Sequence, residues 1–270
     1  MKFLMEIFIK TCLETAYFTG IIILVGLALG VLQNNSIRNY QRIFGSKTVM
    51  ITGFIGVPIH ELSHAVFAII FGHKITNIKL LQKPDVRGMM GYVKHSYNPR
   101  NIYQQLGNFF IGIAPIFGGV FSIILMMKIL IPQTYNEFIN IMVKSLKLES
   151  INKASGEGIL GLYSQLVKHI FGLKNFTNPK YFIFLFIAIC ISSHISLSIA
   201  DIKGAFRGLA VIFLLLLILN IFGLSKYILT FYIVKYNILI TGFLSIALIL
   251  SLLVYLLSLL LLLIKNKIRK

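Results

Sequence analysis

The stretch GVPIHELSHAVFAIIFGHK, residues 56–74, sets two imidazoles and a carboxylate inside an apolar run. His60 and His64 are four residues apart, so on a helix they share one face about a turn apart, where two ring nitrogens can bind one zinc ion. Glu61 sits one position further round, close enough to act on a water held by that ion. With six His and six Glu in 270 residues, an H-E-x-x-H arises by chance somewhere in such a chain with a probability of roughly a few in a thousand.

The setting is hydrocarbon. The chain is 57% hydrophobic with a mean hydropathy of +0.86, far above a soluble domain, and several of its apolar runs reach the ~20 residues that cross a bilayer. Ionisable groups at that depth cost at least ~2.5 kcal/mol each on insertion scales and persist where they are paired or functional. Six runs read as spans, at about 16–33, 49–72, 106–131, 180–200, 208–224 and 238–264. The expected fold is therefore an all-α polytopic membrane protein of about six transmembrane helices. It forms a single integral domain over 1–270, with a catalytic core at 49–208 and accessory helices at 208–264. The first run is taken as a span and not a signal peptide, because its apolar core is long, Glu6 and Glu14 precede or enter it, and no small-residue cleavage site follows.

The net charge of +18 would suggest nucleic acid in a soluble domain, but the basic residues lie between and after apolar runs, where they act as topology signals and headgroup contacts. Lys74, Lys79, Lys83, Arg87, Lys94 and Arg100 in the 73–105 linker and the tail KNKIRK predict a cytoplasmic linker and, with an even span count, both termini cytoplasmic in the cell membrane. Arg38, Arg42 and Lys47 sit between the first two spans. Cys12 and Cys190 both lie in or beside apolar segments, which leaves neither a disulfide framework nor a thiolate cluster. Within the linker, KITNIKLLQKPDVRGMMGYVKHSY, residues 74–97, has two short runs of β character around a Pro-Asp turn, the pattern of a hairpin near the membrane. Residues 132–179 carry two stretches of helical apolar spacing around the flexible SGEG at 155–158, as interfacial helices do.

A catalytic zinc site takes three protein ligands and leaves one position for water. After Glu61 the acids are Asp85, Glu137, Glu149, Glu157 and Asp201, and only Asp201 adjoins apolar spans on both sides. Cys190, His194, Ser198 and Asp201 follow i, i+4, i+8, i+11 spacing, which predicts a polar stripe on the fourth span. Gly204 and Gly208 are expected to loosen the backbone just after Asp201. His194 is the rival third ligand, or a group that supports the site. On the third span Asn108, Gly112, Pro115 and Gly119 form a small, polar face; Pro115 frees a backbone carbonyl, and Asn108 is placed to hold an extended substrate or its oxyanion.

These residues together resemble the site-2 protease family of intramembrane zinc metallopeptidases: HELSH in a span, a short basic β-like segment, a Gly/Pro-containing span, and an Asp at a later span boundary. The resemblance covers roughly residues 49–208. It implies that His60, His64 and Asp201 bind Zn2+, that Glu61 is the catalytic base, and that the substrate is a membrane protein with a transmembrane segment, cut within the lipid bilayer. The family commonly holds its Asp in L-D-G or N-P-D-G, whereas this chain reads A-D-I-K-G, the mark of a divergent small member. Two other classes give different expectations. A metal transporter should carry polar sites along a path, and the last two spans hold no acid or histidine; a catalytically silent scaffold would not need Glu61 beside both histidines.

Overall fold

The computed structural model describes residues 2–45, 49–85, 88–147, 156–225 and 232–268. Five helices in it are long and apolar enough to cross a membrane. They are α1 (Lys2–Phe44), α2 (Val49–Ile70), α3 (Ile102–Leu130), α7 (Ile199–Ile221) and α8 (Tyr232–Ile268), and between them lie β1 (Lys74–Lys79), β2 (Tyr92–Ser96), α4 (Pro132–Lys147), α5 (Gly156–Ile170), a 3-10 turn (Leu173–Thr177) and α6 (Pro179–Ser192). Leu24, Phe54, Phe121, Phe206 and Leu260 are each more than half exposed on the outside of the bundle, an arrangement that suits lipid and would be costly in water. The chain is a membrane-embedded helical protein with one small antiparallel sheet.

The expected span at 180–200 is not one continuous helix among the described residues. The run at 180–200 ends as a helix at Ser192, and α6, at 14 residues, is too short to cross a bilayer. Its last turn closes on itself, with the Ser192 and Ser193 hydroxyls donating to the Ile189 carbonyl. A new helix starts six residues later behind a capping box, in which Ser198 Oγ accepts from Asp201 N and Asp201 Oδ2 accepts from Ser198 N. Two mutually satisfied end groups fix that start; Ser193 N and His194 N make the last bonds of α6, onto the Ile189 and Ile191 carbonyls, and residues 195–197 form the connection. Irregular backbone at membrane depth is tolerated only where protein or a wet cavity covers it, and this segment lies against the site described below.

Contacts at the ends of α1 separate the two termini. That helix is 43 residues long, or about 64 Å at 1.5 Å per residue. At its C-terminal end, Lys265 Nζ from α8 donates to the carbonyls of Arg42 and Ile43. Near its N-terminal end, Asn220 Nδ2 at the end of α7 donates to Thr11 Oγ1 and Glu14 Oε2, while Lys10 Nζ donates to Ser225 Oγ. Lys265 therefore lies at the opposite end of α1 from Lys2. Arg38, Arg42, Lys265 and Lys267 gather at the C-terminal end of α1, and the hairpin folds back along α2 toward that same end, with Gln82 N donating to the Met90 carbonyl and the Met90 side chain at Gly53. Lys47, Arg87, Glu149 and the last two residues of KNKIRK lie outside the described residues. A membrane-impermeant maleimide should label Lys2→Cys and Lys267→Cys from opposite faces; labelling of both from one face would contradict this arrangement.

The expected hairpin is present. β1 and β2 pair antiparallel from Lys74 with Ser96 to Lys79 with Tyr92, with an irregularity between Ile75 and Asn77. Gln104 of α3 anchors both of its ends: its Nε2 donates to the Gly72 carbonyl and its Oε1 accepts from Asn98 N. Gly72 has a φ of +70°, which lets the chain leave α2 sharply into β1. At the other end of the bundle, Pro132 opens α4 directly after α3, and α5 begins at Gly156, so three of the four SGEG residues belong to a helix. His169 Nδ1 and Lys174 Nζ both donate to Glu137. The Lys174 contact leads in holding that carboxyl below its usual pKa, with His169 adding to it.

Candidate metal centre

Two carbonyls without helical partners orient the two histidines. A proline at position 115 has no N–H, so the Ile111 carbonyl one turn earlier loses its intrahelical donor, and His64 Nδ1 fills the place at 2.8 Å. The break after α6 does the same for the His194 carbonyl, which accepts from His60 Nδ1 at 2.7 Å. A carbonyl only accepts, so each Nδ1 carries the hydrogen and each neutral ring turns a bare Nε2 inward. Those two Nε2 atoms are 3.2 Å apart. Lone pairs at that distance repel unless a cation lies between them, and a carbonyl on the far ring nitrogen is the usual partner of a metal-binding histidine.

Asp201 completes the group. Its Oδ1 is 3.3 Å from His64 Nε2 and its Oδ2 3.9 Å from His60 Nε2. For metal–ligand bonds of about 2.0–2.2 Å, a tetrahedron has edges of about 3.3–3.6 Å, so the His60–His64 and His64–Asp201 separations suit one small four-coordinate ion, and the His60–Asp201 separation is the longest of the three. The ligand atoms of His60, His64 and Asp201 all lie within 4.8 Å of one another, the one such group among the described residues. Asp201 stands in the first turn of α7, where the capping box turns its carboxylate and the helix N-terminus favours a negative charge.

Glu61 is 8% exposed and is roofed by the segment leading into β2. A Cβ on Gly91 would stand 2.7 Å from Glu61 Cγ and 3.1 Å from its Oε1, so only glycine allows the strap to lie this close. Beneath it is a cavity of about 740 Å³, lined by His60, His64, Asp201, Glu61, Asn108 and residues of β2. That volume accommodates a few residues of extended peptide. Asn108 is buried and its Nδ2 has no partner, a spare donor in the cavity wall. His95 of β2 also lines it; burial lowers the pKa of that ring, with His73 and His64 adding to the effect.

Three expectations about the surroundings need correction. The polar stripe does not exist as one helix face, because Cys190 is in α6, His194 and Ser198 are in the break, and Asp201 is in α7. His194 contributes its carbonyl and not its imidazole: the ring packs on the glycine face of α2, with Cβ and Cγ against Gly56 and Nε2 near Gly53, and both ring nitrogens are unpartnered. Gly204 and Gly208 lie inside regular α7. Gly208 serves close packing, since a Cβ there would stand 2.2 Å from Phe109 N, and Gly112 answers it from α3, with a Cβ 2.5 Å from the Asp201 carbonyl. This small-residue seam sets the height of α7 beside α3, and with it the height of Asp201.

Comparison with models of protein families, with curated proteins and with solved structures finds no match to this chain, so its function is read from the site itself. Sequence reasoning missed the Ile111 and His194 carbonyls as histidine partners and the Gly91 roof. Pro115 was the signal for the first and S-I-A-D at 198–201 for the second; nothing local announces the third.

Proposed function

We propose that this chain is an intramembrane zinc metallopeptidase of site-2 protease character, hydrolysing peptide bonds in or near transmembrane segments of membrane proteins. The observation that carries the reading is the convergence of two bare imidazole nitrogens and one oriented carboxylate, with a second carboxylate, Glu61, one residue away in the same cavity. His60, His64 and Asp201 would hold a zinc ion, which would supply a Lewis acid and bring the pKa of water toward about 7. Glu61 takes the proton from the attacking water and returns it to the departing amine nitrogen. Asn108 Nδ2 donates to the scissile carbonyl oxygen as it gains charge. The two strands each keep one unpaired edge, which an unwound substrate segment can extend as a third strand. A transmembrane helix must unwind to reach such a site, since its carbonyls are otherwise engaged.

Purified protein with one equivalent of zinc should cut fluorescein-labelled casein, an unfolded polypeptide, in detergent. A zinc chelator should stop cleavage and added zinc restore it. Cleavage indifferent to the chelator would overturn the metallopeptidase reading.

A further inference from the structure

Beside His60, His64 and His194, the cavity is lined by one more imidazole, His95, that the mechanism above leaves without a task. His95 is joined to His73, which is 5% exposed, by a contact of 2.9 Å between their Nδ1 atoms. His73 Nε2 lies 2.8 Å from the Gln104 carbonyl oxygen. Together these contacts fix both ring tautomers. The carbonyl only accepts, so His73 Nε2 carries hydrogen and the neutral His73 ring has a bare Nδ1. His95 Nδ1 must then donate to it, and His95 Nε2 is left with a lone pair and no hydrogen. The support is rigid: Tyr97 stacks on His73 with ring centroids 5.0 Å apart and planes at 19°, and Gln104 is the residue that clamps both ends of the hairpin.

A peptide drawn out of its helix brings unpaired N–H groups into the cavity, and each costs affinity unless an acceptor meets it. Asn108 Nδ2 is a donor and cannot serve. We propose that His95 is a substrate-positioning residue, whose Nε2 accepts a hydrogen bond from a backbone N–H of the peptide in the cavity, and that His73 positions it by setting its tautomer. The inference rests on the peptidase reading and adds to it an acceptor that fixes where the unwound segment sits relative to the metal centre.

The test uses full-length zinc-loaded protein carrying Glu61→Gln, so that binding is read without turnover, with fluorescein-labelled casein as the probe. His95→Phe should weaken casein binding at least about 5-fold, the cost of leaving one buried N–H unpaired. His95→Gln, which keeps an acceptor at similar reach, should stay within about 2-fold of the parent, and His73→Phe should weaken binding although it does not line the cavity. All three should retain one zinc per chain. Histidine 15N spectra should show His95 protonated at Nδ1 in the parent and losing that preference in His73→Phe. Unchanged affinity in His95→Phe, an Nε2-protonated His95 in the parent, or no saturable casein binding would overturn the proposal. Absence of casein hydrolysis by zinc-loaded wild type would instead count against the peptidase reading, while the affinity ratios still judge His95.

Discussion

Metal analysis of the purified protein should give one zinc per chain, and His60→Ala, His64→Ala and Asp201→Ala should each lose it. The three ligand atoms, one from each residue, lie within 4.8 Å of one another, so each would contribute one corner of the same small polyhedron and none is a spare. Removing any one leaves two protein donors, too few for the three-ligand centre that a hydrolytic zinc requires. The supports should grade below the ligands. Pro115→Ala restores an N–H that competes for the Ile111 carbonyl, frees His64 to rotate, and should weaken zinc about 10- to 100-fold, as loss of an outer partner does. His194→Ala should keep its zinc, because the carbonyl and not the ring holds His60. Full zinc retention in Asp201→Ala would remove Asp201 from the centre.

The second large effect is catalytic. Glu61→Gln should leave zinc content and thermal stability near those of the wild type and reduce casein cleavage by about 10²-fold or more. Glutamine keeps the length and much of the hydrogen-bonding shape of glutamate, so it fits under Gly91, where space is tightest. It cannot take the proton from the attacking water. Metal binding should survive because Glu61 stands outside the ligand group. A Glu61→Gln protein that cleaves at the wild-type rate would strip Glu61 of its role as base.

The site was more legible in the sequence than the fold around it. An i, i+4 pair of histidines needs only a helix to converge, and the apolar run 49–72 announces one, so His60, Glu61 and His64 follow from local pattern. Asp201 came from elimination among few acids, and it is brought to the histidines across 137 residues by contacts that no local pattern contains. Hydropathy alone failed at 193–198: Ile195, Leu197 and Ile199 keep the average high, while the helix is ended by serine hydroxyls and restarted by the Ser198–Asp201 capping box. That single break divides the apolar run 180–200 between α6 and α7. The glycines taught the opposite lesson. Gly208 reads in isolation as a point of loosening and Gly112 as part of a small face, yet each is there because another backbone passes too close for a Cβ. His73 and His95 are 22 residues apart and meet only because the hairpin folds back, so their pairing has no sequence signal beyond the turn between them.

The central claim is that the His60–His64–Asp201 centre, with Glu61 beside it, cuts membrane proteins. The most direct measurement compares, by quantitative mass spectrometry, the membrane proteomes of cells producing the wild-type chain and cells producing equal amounts of Glu61→Gln. One or more transmembrane proteins should accumulate uncut with the variant, and their shortened products, ending within or next to a transmembrane segment, should appear only with the wild type. Identical membrane proteomes, with no protein changed in size or abundance, would contradict the claim and leave a catalytically silent scaffold as the better account.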